Sequence, residues 1–148
     1  TDGVSAKTEF NSGEEIFICI PLKGKLGKDP KIKLEIDGKE ELMKDGISYK
    51  SEEGMNYFSF ALALDPKNHY PEQYFYKEGK YSMITGILSK LTPGKHKITF
   101  SVAMSLSSSF DDKISLTIIA EEQGLKKWAD WSTQIKAMDK EYGKKLDQ

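Results

Sequence analysis

Arginine is absent from this chain: all 22 of its basic residues are lysines, set against 23 acidic residues. The planar guanidinium group is the preferred partner for bidentate contacts with phosphate and with guanine edges. The near-zero net charge also leaves no overall field that attracts nucleic acid or an anionic membrane. We therefore expect no nucleic-acid partner.

Cysteine is nearly absent as well. The one cysteine, Cys19, has no internal disulfide partner, and its place in the apolar run "EEIFICIPL" predicts a buried, inert thiol. With only two histidines, His69 and His96, the chain has no Cys/His cluster for a structural zinc ion. We expect neither a metal site nor a cofactor. The alternative left open is calcium at Asp111 and Asp112, two carboxylates at a predicted hairpin tip.

The sequence also lacks recognisable catalytic motifs. Neither a glycine-rich phosphate loop nor a Gly-x-Ser-x-Gly nucleophile pattern is present. Acidic doublets such as Glu40 and Glu41 place neighbouring carboxylates on opposite faces of a strand, which suits acid–base catalysis poorly. We therefore expect a protein that is not an enzyme. The alternative is a small carboxylate-dependent hydrolase or accessory enzyme, and His69 is a candidate acid–base group.

Long apolar runs are missing too, and none approaches the roughly 20 residues of a transmembrane helix. At 148 residues, the chain is predicted to form a single domain, 1–148. It begins "TDGVSAKTEF", with neither an initiator methionine nor a signal sequence. From this beginning we expect that a targeting segment has been removed from a secreted, periplasmic or cell-surface protein.

The first 120 residues do contain a clear period-two pattern of apolar and polar residues, which is typical of β-strands. The predicted strands are "EIFICIPL" (15–22), "KIKLEI" (31–36), "NYFSFALAL" (56–64), "GKHKITFSVAMSL" (94–106) and "KISLTIIA" (113–120), with a less regular one at "YSMITGIL" (81–88). The pair Asp37-Gly38 predicts a tight hairpin turn. The pattern predicts a mainly β protein with an antiparallel sandwich over residues 1–120.

The segment Leu91–Ala120 carries a resemblance to a known family. A Leu-x-Pro-Gly turn, the alternating strand "KHKITFSV" and a hairpin to "KISLTIIA" resemble the closing strands of bacterial immunoglobulin-like and fibronectin-like modules. The resemblance implies an immunoglobulin-like β-sandwich and an extracytoplasmic setting, and it implies no activity. The cysteine–tryptophan–cysteine core of antibody domains is absent.

After residue 124 the apolar residues change to steps of three and four. The segment "GLKKWADWSTQIKAMDKEYGKK" predicts an amphipathic helix over 124–143, with Gly143 just beyond its end. Its apolar stripe includes Trp128, Trp131, Ile135 and Met138. This stripe is predicted to pack on the sandwich or to bind a partner, which includes a second copy of the chain in a weak homodimer.

The segment "NHYPEQYFYKEGKY" (68–81) is rich in aromatic residues, and Tyr70, Tyr74, Tyr76 and Tyr81 are its candidate ligand-binding residues. Tyrosine offers a large, stiff contact area with a polar tip, which suits recognition of sugars or proteins. In one interpretation these rings cover the open end of the sandwich as part of a further hairpin. In the other they form an exposed platform.

These patterns together favour a non-catalytic binding module that takes a protein partner and exists as a monomer or weak homodimer. A second binding function that the sequence leaves open is that of a carbohydrate-binding module that uses the loop tyrosines.

Overall fold

The computed structural model describes residues 7–41, 47–48, 53–74, 79–104 and 109–147, without the side chains of 47, 48 and 74. The chain divides into two compact units. Unit 1 takes Thr1–Phe10, Ile18–Phe60 and Lys95–Ile119, and unit 2 takes Asn11–Phe17, Ala61–Gly94 and Ala120–Gln148. Each unit is thus assembled from three separate parts of the chain. The prediction of one domain over 1–148 stays a prediction.

The described residues form strands in the first 120 positions and a long helix at the end. The strands are β1 Glu9–Asn11, β2 Ile16–Pro21, β3 Lys31–Ile36, β4 Lys39–Glu40, β5 Ile47–Ser48, β6 Tyr57–Ala63, β7 Gly94–Ala103 and β8 Asp112–Ala120. The helical elements are a 3₁₀ turn at Pro66–Asn68, α1 Pro71–Tyr74, α2 Lys80–Leu88 and α3 Glu122–Leu146. The prediction of a mainly β chain with a C-terminal helix is confirmed.

Two sheets account for the strands of the described residues. The larger has the order β1-β8-β7-β3-β4, with β5 also paired to β3, and the smaller pairs β2 with β6. Strands β3 and β7 are antiparallel, and their register sets Ile32 opposite Val102 and Leu34 opposite Phe100. All four of these side chains are buried. One face of this pair therefore contributes to a core, as the alternation in the sequence predicts.

Aromatic side chains join the two sheets inside unit 1. The ring centroid of Phe100 on β7 lies 5.2 Å from that of Phe60 and 6.3 Å from that of Phe58, both on β6. Each ring is almost completely buried. Rings at these separations add packing energy to the area that they remove from water. The rings of Phe58, Phe60 and Phe100 therefore form an aromatic part of the core of unit 1.

The predicted turn at Asp37-Gly38 joins β3 to β4. Asp37 has φ 52° and Gly38 has φ 85°, the two positive values of a primed hairpin turn. The Asp37 carboxylate accepts hydrogen bonds from the Lys97 amide at 2.8 Å and from Nδ1 of His96 at 2.6 Å. These two hydrogen bonds hold the pKa of Asp37 below its usual value of 3.8. The bond from His96 lowers the pKa more than the bond from Lys97 does.

This lowered pKa makes one contribution to stability dependent on pH. Because the folded state binds the Asp37 proton less tightly, the contribution is present above about pH 4 and is lost as the pH falls through the lowered pKa. We expect Asp37→Asn, which tolerates the same positive φ, to lower the melting temperature at neutral pH. The difference in melting temperature between the variant and the unsubstituted protein should disappear below about pH 4. Thermal melts followed by circular dichroism measure this, and a gap that stays constant with pH would contradict it.

Strand β2 differs from its prediction as a buried strand. Its burial alternates strictly, with Ile16, Ile18 and Ile20 buried and the residues between them exposed. Cys19 is one of the exposed residues, so the prediction of a buried thiol is wrong. The β-branched residues of β2 occupy one face of the strand, and the other face of this strand is exposed to water.

Two further expectations are corrected in unit 2. The segment "YSMITGIL" was expected to be a strand, but it lies in helix α2, where Tyr81, Ile84 and Leu88 are buried at helical spacing. Helix α3 does not end before Gly143: it starts at Glu122 and runs through Gly143 to Leu146. Helix α3 packs along α2, and Ser132 of α3 donates a buried hydrogen bond of 2.6 Å to the carbonyl of Ser82.

Candidate functional site

The four tyrosines of the predicted platform differ in their exposure and in how far the structure describes them. Tyr70 is exposed, at 49%, whereas Tyr81 is buried at 8% within α2. Tyr74 ends α1, with its side chain outside the described residues, and Tyr76 lies outside them altogether. Of the four candidates, Tyr70 is therefore the one whose ring the structure shows to be available to a ligand. The prediction that the four bind a ligand together stays a prediction.

The backbone around Tyr70 is held in place by polar contacts within unit 2. The Asp65 carboxylate accepts from the amide of Lys67 at 3.0 Å and so caps the 3₁₀ turn. The Glu15 carboxylate accepts from the Asp65 amide and from the side-chain amide of Asn68, both at 2.9 Å. A short turn gains most of its order from such side-chain contacts, because it has few backbone hydrogen bonds of its own. Pro71 then begins α1, a usual position for proline.

The tryptophan stripe of α3 faces the interior of unit 2. Trp128 and Ile135 are completely buried and Trp131 is 7% exposed. The indole Nε1 of Trp128 donates a 2.9 Å hydrogen bond to the carbonyl of Glu14. Three of the four residues predicted to bind a partner are therefore enclosed by their own unit. The fourth, Met138, is only half-buried.

Met138 lies in a groove that brings together the two segments singled out in the sequence. This groove, the α1–α3 groove, has a volume of about 400 Å³. Pro71 of α1 and Ala137, Met138 and Tyr142 of α3 give it an apolar floor. Glu72 of α1 and Glu141 and Lys145 of α3 supply its charged groups, and all three are exposed. The aromatic loop and the end of the stripe thus form opposite walls of one surface depression.

A buried histidine joins the same two segments. The side chain of His69, one residue before Tyr70, is fully buried, and its Nε2 lies 2.7 Å from Oδ1 of Asp139 on α3. The ring of Tyr81 stands edge-on to it, with the centroids 6.3 Å apart. Its Nδ1 is buried without a hydrogen-bond partner among the described residues. Enclosed in this way, His69 connects the loop to α3, and the pairing was missed because 70 residues separate the two partners.

Removing the hydrogen-bond partner of His69 should lower the stability of the protein. We expect Asp139→Ala to lower the free energy of unfolding by about 1–3 kcal/mol, because Nε2 is then buried without a partner. Asp139→Asn keeps an acceptor at the same place and should lose less than about 1 kcal/mol. Urea unfolding followed by far-ultraviolet circular dichroism compares them. Equal losses in the two variants would mean that the hydrogen bond does not hold the loop to α3.

The two candidate calcium ligands, Asp111 and Asp112, differ in exposure. Asp111 is exposed, while Asp112 is buried and its Oδ1 accepts from the Lys23 amide at 3.3 Å. Among the described residues, no group of three or more histidine, cysteine, aspartate or glutamate residues is placed to hold a metal ion. The calcium hypothesis therefore gains no support from the arrangement of these residues.

In the part of the chain that is described, no helix combines the length and the apolar character that crossing a membrane requires. The resemblance to immunoglobulin-like modules stays a prediction, because comparison of the chain with protein-family models, with curated proteins and with solved structures finds no match.

Proposed function

We propose that this chain is a non-catalytic interaction module that binds a segment of a partner protein in the α1–α3 groove. The observation that carries the proposal is an apolar floor that stays open to solvent between α1 and α3. Unlike the tryptophans of the same stripe, Met138 and Tyr142 are only half-buried. Leu146, one helical turn beyond Tyr142, is 57% exposed and continues the apolar surface.

The size of the groove defines the occupant. A volume of about 400 Å³ falls near the lower end of the range for ligand pockets, roughly 300–1,000 Å³. It is suited to a few apolar side chains presented by an extended or helical segment, the usual way in which grooves recognise peptides. Burying one large apolar side chain in it would contribute about 1.5–3 kcal/mol. We therefore expect weak binding of a single segment, strengthened in a larger partner by contacts around the groove.

The finer fold assignment and the cellular setting belong to the same proposal. An immunoglobulin-like sandwich over residues 1–120 and a secreted, periplasmic or cell-surface location are supported by the resemblance of Leu91–Ala120. The sequence of the full precursor tests the location, and a precursor without any export signal would contradict it.

A neutral peptide and a pair of matched variants test the groove. The probe is a short synthetic peptide with two central leucines flanked by glutamines, the Leu/Gln peptide. We expect it to shift the methyl resonance of Met138, with a dissociation constant below about 1 mM. Ala137→Arg should abolish the shift, because the long side chain fills the groove. The measurement is a nuclear magnetic resonance titration of methyl-labelled methionines, in which Met138→Leu assigns the resonance.

The control variant is Ala129→Arg, eight residues earlier on α3 and equally exposed. It lines a second groove, the Ser89–Ala129 groove, of about 460 Å³. Both substitutions replace one good helix former by another, so they should affect folding alike. Ala129→Arg should leave binding of the Leu/Gln peptide unchanged. If both variants bind as the unsubstituted protein does, or if no peptide shifts Met138, the groove is not the binding site.

A glycan-binding function is the second candidate, and the exposed ring of Tyr70 next to Pro71 favours it. Aromatic rings bind the apolar faces of sugars through the same kind of contact area. Oligosaccharide binding that is lost in Tyr70→Ala and kept in Ala137→Arg would favour this function over a protein partner.

A further inference from the structure

The walls of the α1–α3 groove differ in charge once paired groups are set aside. Glu141 lies 3.6 Å from Lys144, its neighbour on α3, so the charge of Glu141 is largely offset. Glu72 on the α1 wall and Lys145 on the α3 wall have no ion-pair partner within the described residues. As far as the described residues show, one carboxylate without an ion pair therefore lines the groove on α1, and one ammonium group without an ion pair lines it on α3.

We propose that the α1–α3 groove selects a segment in which an apolar anchor is flanked by one basic and one acidic residue. The inference rests on the function proposed above and specifies its partner. The anchor occupies the floor made by Met138 and Tyr142. The basic residue of the partner reaches Glu72, and the acidic residue reaches Lys145. A partner with two charges of one sign gains one favourable pair and incurs one repulsive pair, so its two contributions cancel.

The Ser89–Ala129 groove shows why opposed walls matter. Its charged groups, Glu122 and Lys126, both lie on α3, and the residues that face them from the other side, Ser89 and Pro93, carry no charge. That groove therefore offers no opposed pair of charges to a segment lying in it. Charge reversal at Lys126 is accordingly the matched control for reversal at Lys145.

Four peptides with the same two leucines test the selection. Their flanking residues are Lys and Glu, Lys only, Glu only, or Gln only. Exposed ion pairs contribute about 0.2–1 kcal/mol each and the Lys/Glu peptide makes two, so it should bind at least about twofold more tightly than any other. The preference should disappear in about 1 M salt, where charges are screened beyond roughly 3 Å. The readout is again the methyl resonance of Met138.

Single charge reversals should change the preferred peptide. Glu72→Lys makes both walls basic and should favour the Glu-only peptide, whereas Lys145→Glu makes both acidic and should favour the Lys-only peptide. Lys126→Glu should leave the order unchanged. Equal binding of all four peptides overturns this inference and leaves the groove's function standing, while binding of none overturns the function itself. Loss of the Met138 signal through dimer formation without peptide would show that a second copy occupies the groove, and it also overturns the inference.

Discussion

Replacing Trp128 by alanine is expected to lower the free energy of unfolding of the protein by about 3–5 kcal/mol. The side chain is completely buried at the centre of the stripe of α3, and its removal leaves a cavity that rigid neighbours fill only in part. The carbonyl of Glu14 also loses the 2.9 Å hydrogen bond from the indole. Against a total stability of about 5–15 kcal/mol, this loss is large enough to unfold the unit on mild heating.

Two further variants make this expectation specific. Trp128→Phe keeps most of the apolar area and removes the indole N–H, so it should lose about 1–2 kcal/mol. Phe17→Ala removes an aromatic ring that is 60% exposed in the same unit, and it should change stability by no more than about 0.5 kcal/mol. Urea unfolding followed by far-ultraviolet circular dichroism reports on α2 and α3 together. A loss in Trp128→Ala as small as that in Phe17→Ala would contradict the burial of the stripe.

Strands β3 and β7 were predictable because both follow one simple rule, whereas the short strands β1 and β5 were not predicted. In β3 and β7 the apolar residues alternate with polar ones, and one face of each strand is buried. Burial that depends on a period of two needs no knowledge of the partner strand. The turn at Asp37-Gly38 was predictable for a similar reason, since the positive φ that it requires is available to few residues.

The prediction of a strand at α2 is wrong because two indicators of secondary structure disagree within its sequence. Its isoleucines and Thr85 favour β structure by propensity, while Tyr81, Ile84 and Leu88 follow helical spacing. Tertiary contacts decide the outcome. The buried hydroxyl of Thr85 donates to the carbonyl of Leu62 at 3.3 Å and accepts from the amide of Leu64 at 3.4 Å. The spacing was visible in the sequence, and greater weight on it than on propensity would have identified the helix.

The candidate site was predictable only in its parts. The sequence marked the aromatic loop and the stripe of α3 as separate surfaces, and Tyr70 and Met138 belong to one each. That the loop, through Pro71 and Glu72, and the stripe, through Met138, line a common groove depends on how residues 68–74 fold against residues 137–145. The hydrogen bond between His69 and Asp139 that fixes this approach joins positions 70 apart, and no local pattern reports such a contact.

The amino end of α3 gives the second large expected effect. Ser12 is hydrogen-bonded to Glu121, the residue before the first turn of α3: its hydroxyl accepts from the Glu121 amide at 2.8 Å and donates to the Glu121 carbonyl at 3.1 Å. The two segments approach so closely that a methyl group on Gly124 would collide with the carbonyl oxygen and the hydroxyl of Ser12. A Cβ on Gly13 would likewise lie 3.0 Å from the Cα of Gly124. The contact is therefore one between backbones, which no side chain can relieve by rotating away.

We accordingly expect Gly124→Ala to lower the free energy of unfolding by about 1–3 kcal/mol or more. The sign of this change is informative. Alanine is a better helix former than glycine by about 1 kcal/mol, so the same substitution at an open helical position would raise the free energy of unfolding. Ala129→Gly makes the reverse change at an exposed position of α3 and should lower the free energy of unfolding by about 1 kcal/mol, which measures helix propensity alone. Urea unfolding curves for the two variants separate propensity from collision. If Gly124→Ala instead stabilises by about 1 kcal/mol, as propensity alone predicts, Ser12 and the first turn of α3 are not in contact.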